Sequence, residues 1–171
     1  PSTQQLLDAV RGTGAPRSVI LPNNPNVVLT ARQAVSLSGQ GVYFIPTTTI
    51  PQGVAALLAY MSDRGLLDET LVVWMGEFGR SPRISKIFAT PGREHWPHAF
   101  TILMAGAGIK GGLVHGATDR YAEFVTDDPV LPEDITATIF DSLGIDPHQS
   151  VPARDKQHQL STGRPLAELF S

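Results

Sequence analysis

The sequence predicts an α/β fold with a mostly parallel sheet and helices on both of its faces, and three observations lead to this prediction. Apolar runs of strand length alternate along the chain with segments whose apolar residues recur at helical spacing. The strand-length runs are continuously apolar, which is typical of strands buried on both faces. The 171 residues are 42% hydrophobic and 17% charged, so they carry enough apolar surface for one folded core.

Helices and strands alternate in the first part of the chain. The helices carry apolar residues at i, i+3 and i+4, as Val54, Leu57 and Leu58 do, and the strands are short unbroken apolar runs. Pro51 suits the first turn of a helix and Gly65 suits its C-terminal cap. The predicted elements are a helix over 6–12, a strand over 17–21, a helix over 28–35, a strand over 42–45 and a helix over 51–65.

The second part of the chain predicts two strands and one helix. The strands are the apolar runs 70–75 and 100–105, and a helix over 132–143 ends at Gly144. Residues 78–99 are polar and rich in Gly and Pro, and a loop of that length is often functional. We expect the tail after residue 146 to be irregular.

Composition excludes several classes of protein. A net charge of −3 without basic runs disfavours nucleic-acid binding. No apolar run approaches the roughly 20 residues of a membrane span. The absence of cysteine removes disulfides, thiolate nucleophiles and Cys-ligated zinc, and is compatible with the cytoplasm without establishing a location. The chain starts with Pro and shows no signal-type segment, so we expect a fragment or a processed chain.

Two neighbouring motifs carry the candidate chemistry. Glu77 lies on a turn directly after a predicted strand, where parallel sheets bind ligands. The segment 92–98 places His95 and His98 near a carboxylate and a guanidinium. Glu77, His95 and His98 are therefore candidate ligands of a divalent metal such as zinc, manganese or calcium. The alternatives are a solvated turn glutamate and a loop with exposed histidines.

Three further features are weaker. Arg80 and Arg93 are candidate contacts for a phosphate or sulfate oxyanion, because guanidinium forks match such oxygens. Asn23 and Asn24 precede a predicted helix and suit either an anion or a helix cap, of which the cap is favoured. The glycine-rich run 106–112 suits an anion cradle or, preferably, a surface turn. A Gly-x-Ser-x-Gly elbow and a P-loop are both absent from the sequence.

The region from about residue 52 to 170 resembles the C-terminal part of the domain-of-unknown-function family 1501, within the sulfatase and alkaline-phosphatase superfamily. The motifs that carry the resemblance are 65–80, 92–97, 105–112, 116–119 and 132–146. The resemblance implies an alkaline-phosphatase-like C-terminal part and metal-dependent hydrolysis of phosphate or sulfate esters. It implies that Glu77 is a metal-binding acid and that His95 is a late histidine ligand. Glu94 stands where the family usually carries Asp.

Two departures from that pattern matter. Hydrolases of this superfamily carry their nucleophile in an N-terminal part, and the family carries a Trp-Asp-Thr-His motif shortly before the matching region. Neither is found in these 171 residues. The catalytic residues therefore stay unassigned, and we do not expect turnover by this chain alone.

Residues 1–58 resemble the C-terminal region of the fatty-acid-kinase A proteins, which are related to dihydroxyacetone kinase. The matching stretches are 1–10, 19–26 and 45–58. The two resemblances meet at residues 52–58, which indicates a hybrid that we expect to form one compact domain.

Three hypotheses follow for the function. The chain is a metal-dependent ester hydrolase or its remnant, acting on a small phosphate or sulfate ester. Alternatively it is a phosphate-binding or fatty-acyl-binding module that uses Asn23 and Asn24, or an inactive chimeric scaffold. Exposed strand edges would make self-association plausible in each case.

Overall fold

The computed structural model describes residues 1–39, 41–87, 90–153 and 156–171. Within it the chain forms two compact units, residues 1–66 and residues 67–171. Each unit is described by itself below. The predicted meeting point of the two family segments at residues 52–58 and the single compact domain stay predictions.

The described residues of unit one form three helices and one pair of strands. The pair is parallel, with Ser18 opposite Val42 and Ile20 opposite Phe44, because a helix crosses from the end of one strand to the start of the next. Small side chains bring the first two helices together, since Ala31 and Ala34 are fully buried. The elements are α1 (Thr3–Gly12), β1 (Ser18–Ile20), α2 (Pro25–Ser38), β2 (Val42–Phe44) and α3 (Ile50–Ser62).

Local sequence explains where these helices begin. The Ser2 hydroxyl accepts from the Gln5 N–H, and the Gln5 side chain accepts from the Ser2 N–H, which forms a capping box at α1. Asn24 and Thr49 cap α2 and α3, each followed by a proline in the first turn. All three predicted helices of this unit and both of its strands are confirmed.

In the part of unit two that the structure describes, the chain forms short antiparallel strand pairs and one α-helix. The pairs are β3 with β6, β4 with β5, β7 with β8 and β9 with β10. The elements are β3 (Val72–Trp74), β4 (Gly79–Arg80), β5 (His95–Trp96), β6 (Leu103–Ala105), β7 (Ala117–Thr118), β8 (Val125–Asp127), α4 (Pro132–Ser142), β9 (Ser150–Ala153) and β10 (Lys156–Gln159). Short 3-10 helices cover Leu66–Asp68 and Ala167–Leu169.

The predicted mostly parallel sheet with helices on both faces is wrong. Among the strands that the structure describes, only β1 and β2 pair in parallel. A parallel neighbour needs a long crossover, usually a helix, and α2 supplies one. Between β3 and β6 the described residues form a strand ribbon and no helix, so the chain returns antiparallel. The same finding overturns the parallel arrangement implied for an alkaline-phosphatase-like C-terminal part.

Burial of the strands also differs from the prediction. The continuous apolar runs predicted strands covered on both faces, but Tyr43 on β2 is 50% exposed and Trp74 on β3 is 46% exposed. The predicted loop 78–99 contains β4 and β5, and the predicted irregular tail contains β9 and β10. None of the helices that the structure describes is long and apolar enough to cross a membrane.

A network of hydrogen bonds joins α4 to the segment before the last 3-10 helix. The Asp134 carboxylate accepts from the backbone N–H groups of Leu131 (3.0 Å) and Arg164 (2.9 Å). The buried Thr138 hydroxyl accepts from the Leu166 N–H at 3.0 Å. Gly163 lies so close to the Glu133 carbonyl group that a Cβ at this position would collide with it. These contacts form the core of unit two.

Candidate functional site

The predicted site residues lie on an antiparallel ribbon formed by β4, β5 and the residues that continue them. Gly79 is opposite Trp96 and Arg80 is opposite His95. The Ser81 N–H donates to the Glu94 carbonyl at 2.9 Å, and the Glu94 N–H donates to the Ser81 hydroxyl at 3.0 Å. A Cβ at residue 79 would collide with the Ala99 carbonyl oxygen, so glycine is needed where the ribbon meets the returning chain.

One face of this ribbon carries Arg80 and His95, and the backbone of Arg93 lies beside it. Directly opposed residues of an antiparallel pair project to the same side, which places Arg80 beside His95. The Arg80 guanidinium donates to the Arg93 carbonyl at 3.4 Å. The Phe78 ring lies 3.8 Å from the His95 ring, centroid to centroid, and 5.6 Å from the Arg80 guanidinium carbon. We call Phe78, Arg80 and His95 the Arg80–His95 face, which Arg93 borders through its carbonyl group.

His98 belongs to a different cluster. Its ring lies 4.8 Å from the Trp96 ring and 5.3 Å from the Phe124 ring. The indole N–H of Trp96 donates to the Glu123 carbonyl at 2.6 Å. Successive strand residues project to opposite faces, so Trp96 points away from the face that His95 occupies. His98 packs with Trp96, and the two histidines therefore have different neighbours.

The residues present do not form a complete metal centre. Glu77 is exposed on the turn before β4, and both histidines are exposed. In the ranges 1–39, 41–87, 90–153 and 156–171, no three His, Asp or Glu side chains come together in a group that could hold a metal ion. A catalytic zinc needs about three protein ligands. The assignments of Glu77, His95 and His98 as ligands stay predictions.

Arg80 and Arg93 have no acidic partner among the residues that the structure describes. Arg80 and Arg93 are exposed, and among the described residues no carboxylate lies within 4.0 Å of either guanidinium. A guanidinium without an acidic partner keeps its donors for other acceptors. Contact of Arg80 and Arg93 with a phosphate or sulfate oxyanion stays a prediction.

Two known protein families match parts of this chain. Residues 45–170 match the family described as protein of unknown function (DUF1501). The chain belongs to the DUF1501 family. Residues 1–74 also match the C-terminal family of fatty acid kinase A-like proteins, FakA-like_C. The two matches overlap within one chain, and this confirms the predicted hybrid.

Curated relatives of this DUF1501 chain match it over a short stretch. Protein YloV of Bacillus subtilis is 45% identical over 64 residues, which are 37% of this chain and 12% of YloV. The uncharacterized protein SERP0792 of Staphylococcus epidermidis is 37% identical over 68 residues, 40% of this chain and 12% of that protein. The uncharacterized protein SAUSA300_1119 of Staphylococcus aureus is 38% identical over 66 residues, 39% and 12% of the two chains. The chain thus spans a small part of the length of these relatives.

Asn23 and Asn24 make contacts that belong to the fold of unit one. The Thr47 hydroxyl is buried and donates to the Asn23 side-chain oxygen at 2.8 Å, while the Asn23 N–H donates back to it at 3.2 Å. The side chain of Asn24 accepts from the Asn26 N–H at 2.9 Å and caps α2. Both contacts favour the cap interpretation over an anion site. The role of these residues in ligand binding stays a prediction.

The glycine-rich run 106–112 of the DUF1501 segment is a turn, as favoured from the sequence. Gly106 and Gly108 have φ angles of 83° and 85°. The Ala107 N–H donates to the Leu67 carbonyl at 2.7 Å and the Lys110 N–H donates to the Leu169 carbonyl at 2.8 Å. Because these amides bond to the backbone, they are not free to cradle an anion.

A cavity in unit two was not predicted. It has a volume of about 450 Å³ and is lined mainly by apolar side chains, with Lys110, His115 and Asp128 among the polar ones. Among the described residues, Nε2 of His115 is buried without a hydrogen-bond partner, and a carboxylate oxygen of Glu168 is 4.0 Å away. No spacing signal in the sequence marks His115, because Glu168, the carboxylate nearest to it, is distant along the chain.

Proposed function

We propose that the DUF1501 segment contributes an oxyanion-binding surface to the hydrolysis of phosphate or sulfate esters, and that this chain alone does not catalyse turnover. The observation that carries the proposal is the direct pairing of Arg80 with His95 across β4 and β5. The family resemblance supports it by implying ester hydrolysis. The 171 residues contain no Trp-Asp-Thr-His motif, and this supports the proposed lack of turnover.

The chemistry of the face suits an ester oxyanion. Guanidinium groups present planar forks of N–H donors that match phosphate and sulfate oxygens. The imidazole of His95 adds a donor or an acceptor on the same face. The exposed arginines have no carboxylate within 4.0 Å among the described residues, so an arriving anion meets positive charge.

Metal binding is the part of the proposal with the least structural support. Glu77 and His95, with His98, are the proposed ligands of zinc, manganese or calcium. Since no three donors among the described residues form a group, further ligands beyond these would be needed, and we assign no reaction step to a metal. The expected metal content of the isolated chain is therefore below one ion per molecule.

Anion titration tests the oxyanion surface. Inorganic phosphate and inorganic sulfate are titrated into the protein by calorimetry, with Arg80→Ala as the test variant and Arg120→Ala as the matched control. Arg120 belongs to the same unit, but its guanidinium carbon lies 4.7 Å from the Tyr121 ring, outside the face. Loss of charge-assisted hydrogen bonds at an exposed site predicts about threefold to tenfold weaker binding for Arg80→Ala and no change for Arg120→Ala. Equal affinities in all three proteins would overturn the proposal.

Metal content and turnover are measured on the same preparations. Elemental mass spectrometry on protein purified with zinc and manganese supplied gives the metal per chain, with His95→Ala beside it. 4-Nitrophenyl phosphate and 4-nitrophenyl sulfate report turnover. If the wild type contains stoichiometric metal and His95→Ala abolishes it, the conclusion that the metal centre is incomplete would be overturned. Turnover by the isolated chain would contradict the proposal that this chain alone does not catalyse hydrolysis.

A phosphate-binding or fatty-acyl-binding module in unit one is the second candidate. It has less support, because Asn23 and Asn24 already use their side chains within the fold. An inactive scaffold remains if neither unit binds an anion.

A further inference from the structure

We propose that Phe78 is a positioning residue of the Arg80–His95 face, whose ring holds both the imidazole of His95 and the guanidinium of Arg80 in place. The inference deepens the proposed function and relies on it for the nature of the ligand. The geometric part stands by itself, because it concerns contacts within this chain.

The contacts of Phe78 support the inference directly. Its ring centroid lies 3.8 Å from that of His95, with 31° between the ring planes. The Arg80 guanidinium carbon lies over the same ring at 5.6 Å, which is within cation–π range. Both contacts place the Phe78 ring on the side of the ribbon that carries His95 and Arg80. One aromatic ring thus contacts both polar groups of the face.

His95 and Arg80 need such a support because both are exposed. Among the described residues, no hydrogen bond or ion pair is formed by the His95 side chain. An exposed side chain without a partner samples several rotamers, and ordering it on binding lowers affinity. Stacking on a ring that is itself partly buried removes part of that cost before the ligand arrives.

The backbone around Phe78 limits where its ring can go. Gly79 follows it and lies against the Ala99 carbonyl oxygen, where a side chain would not fit. Residues 79 and 80 are then held in the ladder opposite Trp96 and His95. The backbone contacts of the ribbon therefore hold the Phe78 ring on the side where His95 and Arg80 lie. None of these contacts involves a ligand.

The experiment compares Phe78→Leu and Phe78→Tyr, with Phe124→Leu as the matched control. Tyr keeps the ring, whereas Leu keeps only apolar bulk. Phe124 also packs on a histidine, but on His98 at 5.3 Å and away from the face. Two quantities are measured at one fixed pH on the full chain. The first is the proton NMR signals of the His95 ring, with the nuclear Overhauser contacts between rings 78 and 95. The second is the dissociation constant of inorganic phosphate and of sulfate.

We expect Phe78→Leu to move the His95 ring signals and to weaken anion binding about threefold to tenfold, the range expected for one lost aromatic contact. Phe78→Tyr should restore both quantities. Phe124→Leu should move the signals of His98 and leave those of His95 and the anion affinity unchanged.

The outcomes separate the two claims. If the wild type binds neither anion while Phe78→Leu still moves the His95 signals and Phe78→Tyr restores them, the proposed function fails and the packing role of Phe78 stands. If the wild type binds an anion but Phe78→Leu changes neither quantity, the positioning role is overturned. Circular dichroism shows whether Phe78→Leu is folded. If Phe78→Leu is unfolded, the positioning role is judged from Phe78→Tyr and from the nuclear Overhauser contacts between rings 78 and 95 in the wild type. Absence of those contacts overturns the proposal.

Discussion

The backbone N–H of Arg164 donates a 2.9 Å hydrogen bond to the carboxylate of Asp134, which lies in the first turn of α4. The same carboxylate accepts from the Leu131 N–H at 3.0 Å, so one buried side chain satisfies two backbone donors from distant parts of the chain. This contact closes unit two around α4. It also explains why an acidic residue is tolerated at 7% exposure.

Replacing Asp134 by Ala should destabilise unit two. The change leaves the partly buried N–H groups of Leu131 and Arg164 without their charged acceptor, and the lost hydrogen bonds should cost about 1.5–3 kcal/mol. Urea unfolding followed by circular dichroism measures the change in the free energy of unfolding. Glu133→Ala is the control, because Glu133 is exposed and a surface change there should cost less than about 0.5 kcal/mol. Equal costs for the two variants would contradict the prediction.

Acid should weaken unit two through the same carboxyl group. Burial by itself raises the pKa of Asp134, but the hydrogen bonds from Leu131 and Arg164 and the charge of Arg164 together hold this pKa below its ordinary value of 3.8. The folded state therefore binds the proton less tightly than the unfolded state does. Its contribution to stability is complete above the ordinary value of 3.8 and is lost as the pH falls through the lower pKa of the folded state.

The measurement is the free energy of unfolding from about pH 5 down to about pH 2 for the wild type and Asp134→Asn. The asparagine does not titrate, so the wild-type curve should fall more steeply below 3.8 than the variant curve. Parallel curves would show that Asp134 does not contribute to the pH dependence of the free energy of unfolding in this range.

Gly79→Ala should disrupt the ribbon that carries the candidate site. The new Cβ would collide with the Ala99 carbonyl oxygen, which is backbone and can move only with the chain. We expect a loss of about 1–3 kcal/mol in stability together with weaker phosphate binding. Gly92 lies on the same ribbon, and a Cβ at this position would meet nothing within 4 Å. Gly92→Ala should therefore change neither stability nor phosphate binding. Thermal unfolding and anion titration of both variants check this.

Asn24→Ala should destabilise unit one by about 1 kcal/mol, because it removes the acceptor for the Asn26 N–H at the start of α2. Asn26→Ala keeps that backbone donor and serves as the control, with an expected change below about 0.5 kcal/mol. Urea unfolding measures both. A loss of phosphate binding in Asn24→Ala at unchanged stability would instead favour the binding-module hypothesis.

The presence of the helices was predictable because its causes are local, although α2 covers Pro25–Ser38 and not only the predicted 28–35. Pro25 and Pro51 open helices, and Asn24 accepts a hydrogen bond from a donor two residues away. Strand direction was not predictable in this way. The apolar runs 70–75 and 100–105 suit parallel and antiparallel pairing equally, and the choice depends on what the intervening chain forms. The strands β4 and β5 were missed because two-residue strands show no apolar run.

The same distinction between local and long-range causes applies to the candidate site. By itself the sequence determined the helices, the hybrid of two family segments and the residue types that suit an oxyanion, since all of these depend on neighbours along the chain. Only the tertiary structure decided that Arg80 faces His95 and that His98 packs with Trp96 and Phe124. The physical reason is that cross-strand register is set where the chain folds back, and strand geometry sends adjacent side chains to opposite faces.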